Sequence, residues 1–89
     1  MVHKNIQLFG RVQGVGFRYS ARIAARNYGI KGYVRNMSDG SVYLEVEGSE
    51  DNISRFVKWC KEGPDFAYIE SISITDGSLR NFKSFEVRF

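Results

Sequence analysis

Scarcity is informative in this 89-residue chain, beginning with its single cysteine. Cys60 has no partner for an intrachain disulfide, so stability must come from packing, and a reducing, cytoplasmic compartment fits. One histidine, His3, and one cysteine fall short of the ligand set a metal site needs. No apolar run is long enough to span a bilayer, and the opening "MVHKNIQLFG" carries no apolar stretch like that of a signal peptide. The most uneven scarcity is acidic. Residues 1–38 contain no Asp or Glu against seven Lys and Arg, whereas residues 39–89 hold ten acids and six basic residues. The net charge of +3 therefore conceals a basic part of +7 and an acidic part of −4, and a face that attracts anions is expected. Within the basic part, Arg22 and Arg26 read as the solvated side of a helix.

What is present suits one small domain over residues 1–89. At 43% apolar and 26% charged, the composition supports a single hydrophobic core. Residues 2–9 alternate as a strand, with Val2, Ile6 and Leu8 on one face and His3, Asn5 and Gln7 on the other. His3 reads as a surface residue. Phe17, Ala21, Ala24, Ala25 and Tyr28 form a helical stripe that Gly29 stops as a left-handed cap. Strands follow at 31–36 and 41–48, joined by "MSDG", where Asp39-Gly40 suits a tight hairpin. In the second strand Val42, Leu44 and Val46 point inward, with Tyr43, Glu45 and Glu47 outward. Ser49 caps a second helix with Glu50 and Asp51 in its first turn, Ile53, Phe56, Val57 and Cys60 on its core face, and Gly63-Pro64 at its end. In "AYIESISIT" (67–75) the apolar positions Ile69, Ile72 and Ile74 break the period of two once, which predicts a bulge. A short strand at 84–89 closes the chain, with Phe85, Val87 and Phe89 on one side. The order predicts an α+β ferredoxin-like βαββαβ sandwich: an antiparallel sheet, two helices on one face, and an extra C-terminal strand.

The first helix begins unlike the second. Its opening turn holds Phe17, Arg18, Tyr19 and Ser20 and no acid, although a helix N-terminus favours negative charge. Before it stands "VQGVG", whose glycines let successive backbone N–H groups converge on one anion. Arg18 adds a planar fork suited to paired bonds with phosphate oxygens. A phosphoryl group is the anion these residues fit. A Walker loop would need glycine at Val15 followed by lysine, and a dinucleotide fingerprint would need glycine at Tyr19. A glycine-rich structural turn is the plainer alternative. Asn36 and Asp39 could likewise be ordinary hairpin residues, and Cys60 a buried thiol.

Two stretches resemble a known family. "GRVQGVGFR" (10–18) followed by "GYVRNMSDGSV" (32–42) resembles the two motifs of the acylphosphatases; Tyr33 is a mild variation on the aromatic position. "EG" at 47–48, "GP" at 63–64 and the closing "FEVRF" are similar too, so the resemblance covers nearly the whole chain. It implies a hydrolase that cleaves the carboxyl–phosphate bond of small acylphosphates, releasing phosphate, with no metal and no cofactor. It also implies that Arg18 binds the phosphate and Asn36 holds the attacking water. The backbone N–H groups of Gln13, Gly14, Val15, Gly16, Phe17 and Arg18 would form the cradle. A monomer without nucleic-acid or membrane partners is expected.

RNA-recognition modules share the element order, and "KGYVRN" is similar to part of their basic-Gly-aromatic signature. That signature belongs on the third strand, which here reads "VYLEVE" with two glutamates on its outer face. A phosphate-binding domain without catalysis is the third reading. Retention of both Arg18 and Asn36 argues against it.

Overall fold

The structure is a computed structural model and describes residues 1–89. Its elements are β1 (Val2–Arg11), α1 (Phe17–Asn27), β2 (Lys31–Asn36), β3 (Val42–Gly48), α2 (Glu50–Glu62), β4 (Tyr68–Asp76) and β5 (Phe85–Arg88). They build one five-stranded sheet in the order β4-β1-β3-β2-β5. Every pairing is antiparallel except that of β2 with β5. This is the ferredoxin-like arrangement with an added parallel edge strand. No helix is long and apolar enough to cross a membrane.

Local chemistry explains where the elements start and stop. Ser49 accepts a hydrogen bond from the Asn52 N–H at 3.2 Å and opens α2; Gly63, at φ 72°, ends it with its N–H on the Trp59 carbonyl. Alanines at 21, 24 and 25 are buried against the sheet, where their small size lets α1 approach closely. The core combines this stripe with Ile53, Phe56 and Cys60 of α2 and with Ile6, Leu8, Val34, Val42, Leu44 and Val46 of the sheet. Cys60 is fully buried, and burial pushes its thiol pKa up, which leaves it inert. The bulge expected in the fourth strand is present: Phe9 pairs with Ser71 and Gly10 with Ile69, leaving Glu70 extra.

The register settles what lies near what. β1 and β2 are both antiparallel to β3, which lies between them, so they run in the same direction. Leu8, Val42 and Asn36 stand in one row across the three strands. The loop that leaves β1 and the end of β2 therefore share one edge of the sandwich.

Two expectations about the sheet's other face are corrected. His3 is not a surface residue, being 4% exposed, and Glu45 and Glu47 are buried rather than solvated. Their side chains do point away from the helices, as the alternation requires. That face is covered by residues 77–84, which must cross it because β4 and β5 occupy opposite edges of the sheet. Glu47 accepts from the backbone N–H of Arg80 at 2.6 Å and of Phe82 at 3.0 Å. His3 lies with Nδ1 2.7 Å from Glu47 and Nε2 3.1 Å from Glu45, and its ring stacks on Phe82. Glu45 also accepts from the Tyr33 hydroxyl at 2.6 Å. Burial and this bond to Glu45 push the Tyr33 hydroxyl up to about 12. Phe89 departs from expectation as well. It lies beyond the end of β5 and is exposed instead of sharing the inward side of Phe85 and Val87.

Candidate functional site

The segment between β1 and α1 turns twice through left-handed backbone, at Gly14 (φ 73°) and Gly16 (φ 75°). A Cβ at either position would meet no protein atom within 4 Å apart from its chain neighbours, so the glycines answer to backbone curvature and to open space, not to packing. Gly16 is the N-cap of α1 and supplies no side chain to bond the orphan N–H groups there; the first turn contains no acid. The N–H groups of residues 13–16 bond to nothing in the protein, and Ser20 is the residue whose N–H returns to the Gly16 carbonyl, at 3.1 Å. A helix start with uncapped donors and a positive dipole favours negative charge.

Arg18 and Asn36, eighteen positions apart in sequence, line one depression of about 230 Å³ together with Val12, Gly14, Gly16, Phe17 and Tyr19. Larger hollows exist, about 300 Å³ beside Trp59 and about 530 Å³ beside Arg11 and Tyr68, but neither combines a helix N-terminus with converging donors. Arg18 is half-buried. Its Nη1 donates to the Arg88 carbonyl at 3.1 Å, and its guanidinium carbon stands 4.5 Å from the centre of the Phe89 ring. The end of β5 thus holds the arginine while leaving its other donors free.

The remaining expected residues take different parts. Gln13 sends its side chain away from the depression: Nε2 donates to the carbonyls of Met37 and Ser41, both at 2.8 Å. It ties the loop to the hairpin that follows Asn36, a role invisible in the sequence because the partners are 24 and 28 positions away. Phe17 points its ring into the core at 2% exposure, so only its backbone is available to a ligand. Val15 is half-buried against the core. Asp39 is the turn residue expected, accepting from the Ser41 N–H at 2.9 Å and from its hydroxyl; these bonds lower its pKa. Gln13 and Asp39 serve the hairpin backbone, and the hydrogen bonds they make there do not involve the Asn36 amide. Tyr19 was missed among the lining residues, although its place next to Arg18 in the first helical turn was a usable signal.

The acylphosphatase family model matches residues 4–87. The chain belongs to the acylphosphatase family. An acylphosphatase of Archaeoglobus fulgidus is 42% identical over 89 residues, covering all of both chains. One of a Nocardioides species is 43% identical over 94% of this chain and 85% of its own. Among solved structures, the acylphosphatase of Bacillus subtilis superposes with a TM-score of 0.97 at 37% identity, over the full length of both. The family's fold is therefore this fold over the full length of the chain.

Proposed function

We propose that the depression between the 12–16 loop and the end of β2 is the active site of an acylphosphate hydrolase. Membership of the acylphosphatase family makes the protein an enzyme that converts acylphosphate and water into carboxylate and inorganic phosphate. The assignment of parts within it is our reading. The phosphoryl group sits on the backbone N–H groups of Gln13, Gly14, Val15, Gly16, Phe17 and Arg18 and is gripped by the Arg18 guanidinium. Asn36 orients a water for in-line attack on phosphorus. The bond from phosphorus to the acyl oxygen breaks as the new P–O bond forms, the carboxylate leaves with its electron pair, and the water proton passes to a phosphate oxygen. Such a leaving group needs no strong acid, so placement and charge stabilisation suffice. The observation that carries this reading is the meeting of Arg18, Asn36 and two left-handed glycines in one depression.

Catalysis is metal-independent in this reading, because the lining contains no carboxylate, imidazole or thiol. Residues 1–89 act as one acylphosphatase-like domain, a monomer in the cytoplasm. Nucleic acid has no place in this reading, which is supported by the crossing of residues 77–84 over the sheet face on which RNA modules stack bases and by the engagement of the Tyr33 and Tyr43 hydroxyls by Glu45.

Hydrolysis of benzoyl phosphate and acetyl phosphate by the purified protein, with and without excess chelator, tests the reading. Turnover that survives the chelator is expected. A folded protein that binds inorganic phosphate but turns over neither compound would leave an anion cradle and no hydrolase.

A further inference from the structure

The phosphate loop, Arg18 and Asn36 account for the phosphoryl group and the water but leave the acyl group without a contact. Of the apolar side chains lining the depression, Val12 and Phe17 are 1% and 2% exposed and belong to the core. Gly14 and Gly16 have no side chain, and Arg18 and Asn36 are polar. Tyr19 is therefore the one lining residue that presents exposed apolar surface, at 56% exposure. Its position is defined: it stands in the first turns of α1, and the Arg22 guanidinium lies 5.5 Å from its ring centre. A cation over the face restricts the ring's motion and leaves its remaining surface to the solvent. Ile23, one turn further along α1 and 60% exposed, continues the apolar stripe away from the depression. Nothing in the core explains an exposed aromatic here, since α1 packs through Ala21, Ala24 and Ala25.

We infer that Tyr19 is the surface on which the acyl group rests, and that it biases the enzyme toward acylphosphates with an aromatic or bulky apolar acyl group over acetyl-sized ones. The inference rests on the hydrolase reading above. A planar ring approaching the phenol can take an offset or edge-on arrangement, whereas an acetyl methyl covers little of it. Because the acyl oxygen is the leaving group, this contact holds the substrate without touching the attacking water.

The experiment compares kcat/KM for benzoyl phosphate and for acetyl phosphate in the wild type, Tyr19→Ala and Tyr19→Phe. The benzoyl-to-acetyl ratio is expected to fall about tenfold in Tyr19→Ala, through a higher KM for benzoyl phosphate, and to recover in Tyr19→Phe. Tyr19→Gln, a good helix former without an apolar face, should reproduce the fall. A ratio unchanged across the variants, or a loss shared equally by both substrates, overturns the role of Tyr19 while leaving the hydrolase intact. A wild type that turns over neither substrate overturns both.

Discussion

At the residue scale, the proposed mechanism divides the chemistry between charge, assigned to Arg18, and placement, assigned to Asn36. Removing one preorganised donor from a developing negative charge costs on the order of 100- to 1000-fold in rate. Arg18→Ala is expected to lose at least that much in kcat/KM and to lose inhibition by inorganic phosphate. Asn36→Ala should lower kcat and keep phosphate inhibition, because the proposal gives Asn36 the water and not the anion. Steady-state assays with phosphate as competitor separate the two roles; equal activity in either variant would refute that residue's part. Arg18 also rests on the Phe89 ring and the Arg88 carbonyl, so its orientation depends on the far end of the chain.

At the scale of elements, the loop before α1 and the β2–β3 hairpin form a working pair because Gln13 joins them through two carbonyls. Gln13→Ala leaves those hairpin groups to the solvent and frees the cradle to move relative to Asn36. A stability loss of about 1–2 kcal/mol in urea unfolding is expected for two neutral hydrogen bonds. Turnover should fall further than stability suggests, since small misplacement of reacting groups is costly. An unchanged kcat would show that the loop keeps its place without this tether. The two helices illustrate the same logic from opposite sides. α2 carries Glu50 and Asp51 on its positive end, whereas α1 carries none, which fits an anion supplied by the substrate.

At the scale of the whole molecule, the buried group of His3, Glu45 and Glu47 fastens residues 77–84 across the sheet and so delivers β5 to its edge. Burial raises the pKa of the Glu47 carboxyl, but the N–H groups of Arg80 and Phe82 and the His3 ring outweigh it, and the net shift is downward. Glu45 is lowered in the same way, its burial being offset by Tyr33, Tyr43, Arg80 and His3. A carboxylate with a depressed folded-state pKa contributes stability above its unfolded value of 4.5, and that contribution is lost as pH falls through the folded value. Glu47→Gln is expected to cost about 2 kcal/mol near neutral pH, with the gap in Tm to the wild type narrowing as the acid limb is approached. Thermal melts of both proteins between about pH 3 and pH 7 check this. A gap that stays constant would mean that the Glu47 charge contributes nothing.

The sequence by itself determined the elements and the residue types of the candidate site. Periodicity, caps and glycines are local properties, so the helices over Phe17–Asn27 and Glu50–Glu62, the Asp39 turn and even the bulge in the fourth strand were legible. The same holds for the acid-free helix start and its glycine loop, whose left-handed turns and uncapped donors involve only neighbours in the chain. Burial of the outer sheet face was not legible. Alternation shows that Glu45 and Glu47 oppose Leu44 and Val46, but what covers a face depends on where distant strands are placed in the sheet. Only tertiary structure decided that residues 77–84 cross that face, and with it that His3 is buried. Only the strand order, with β3 between two parallel neighbours, brought Asn36 to the helix start that carries Arg18. Side-chain types are written locally, but their proximity is set by long-range pairing, and pairing is where the sequence falls silent.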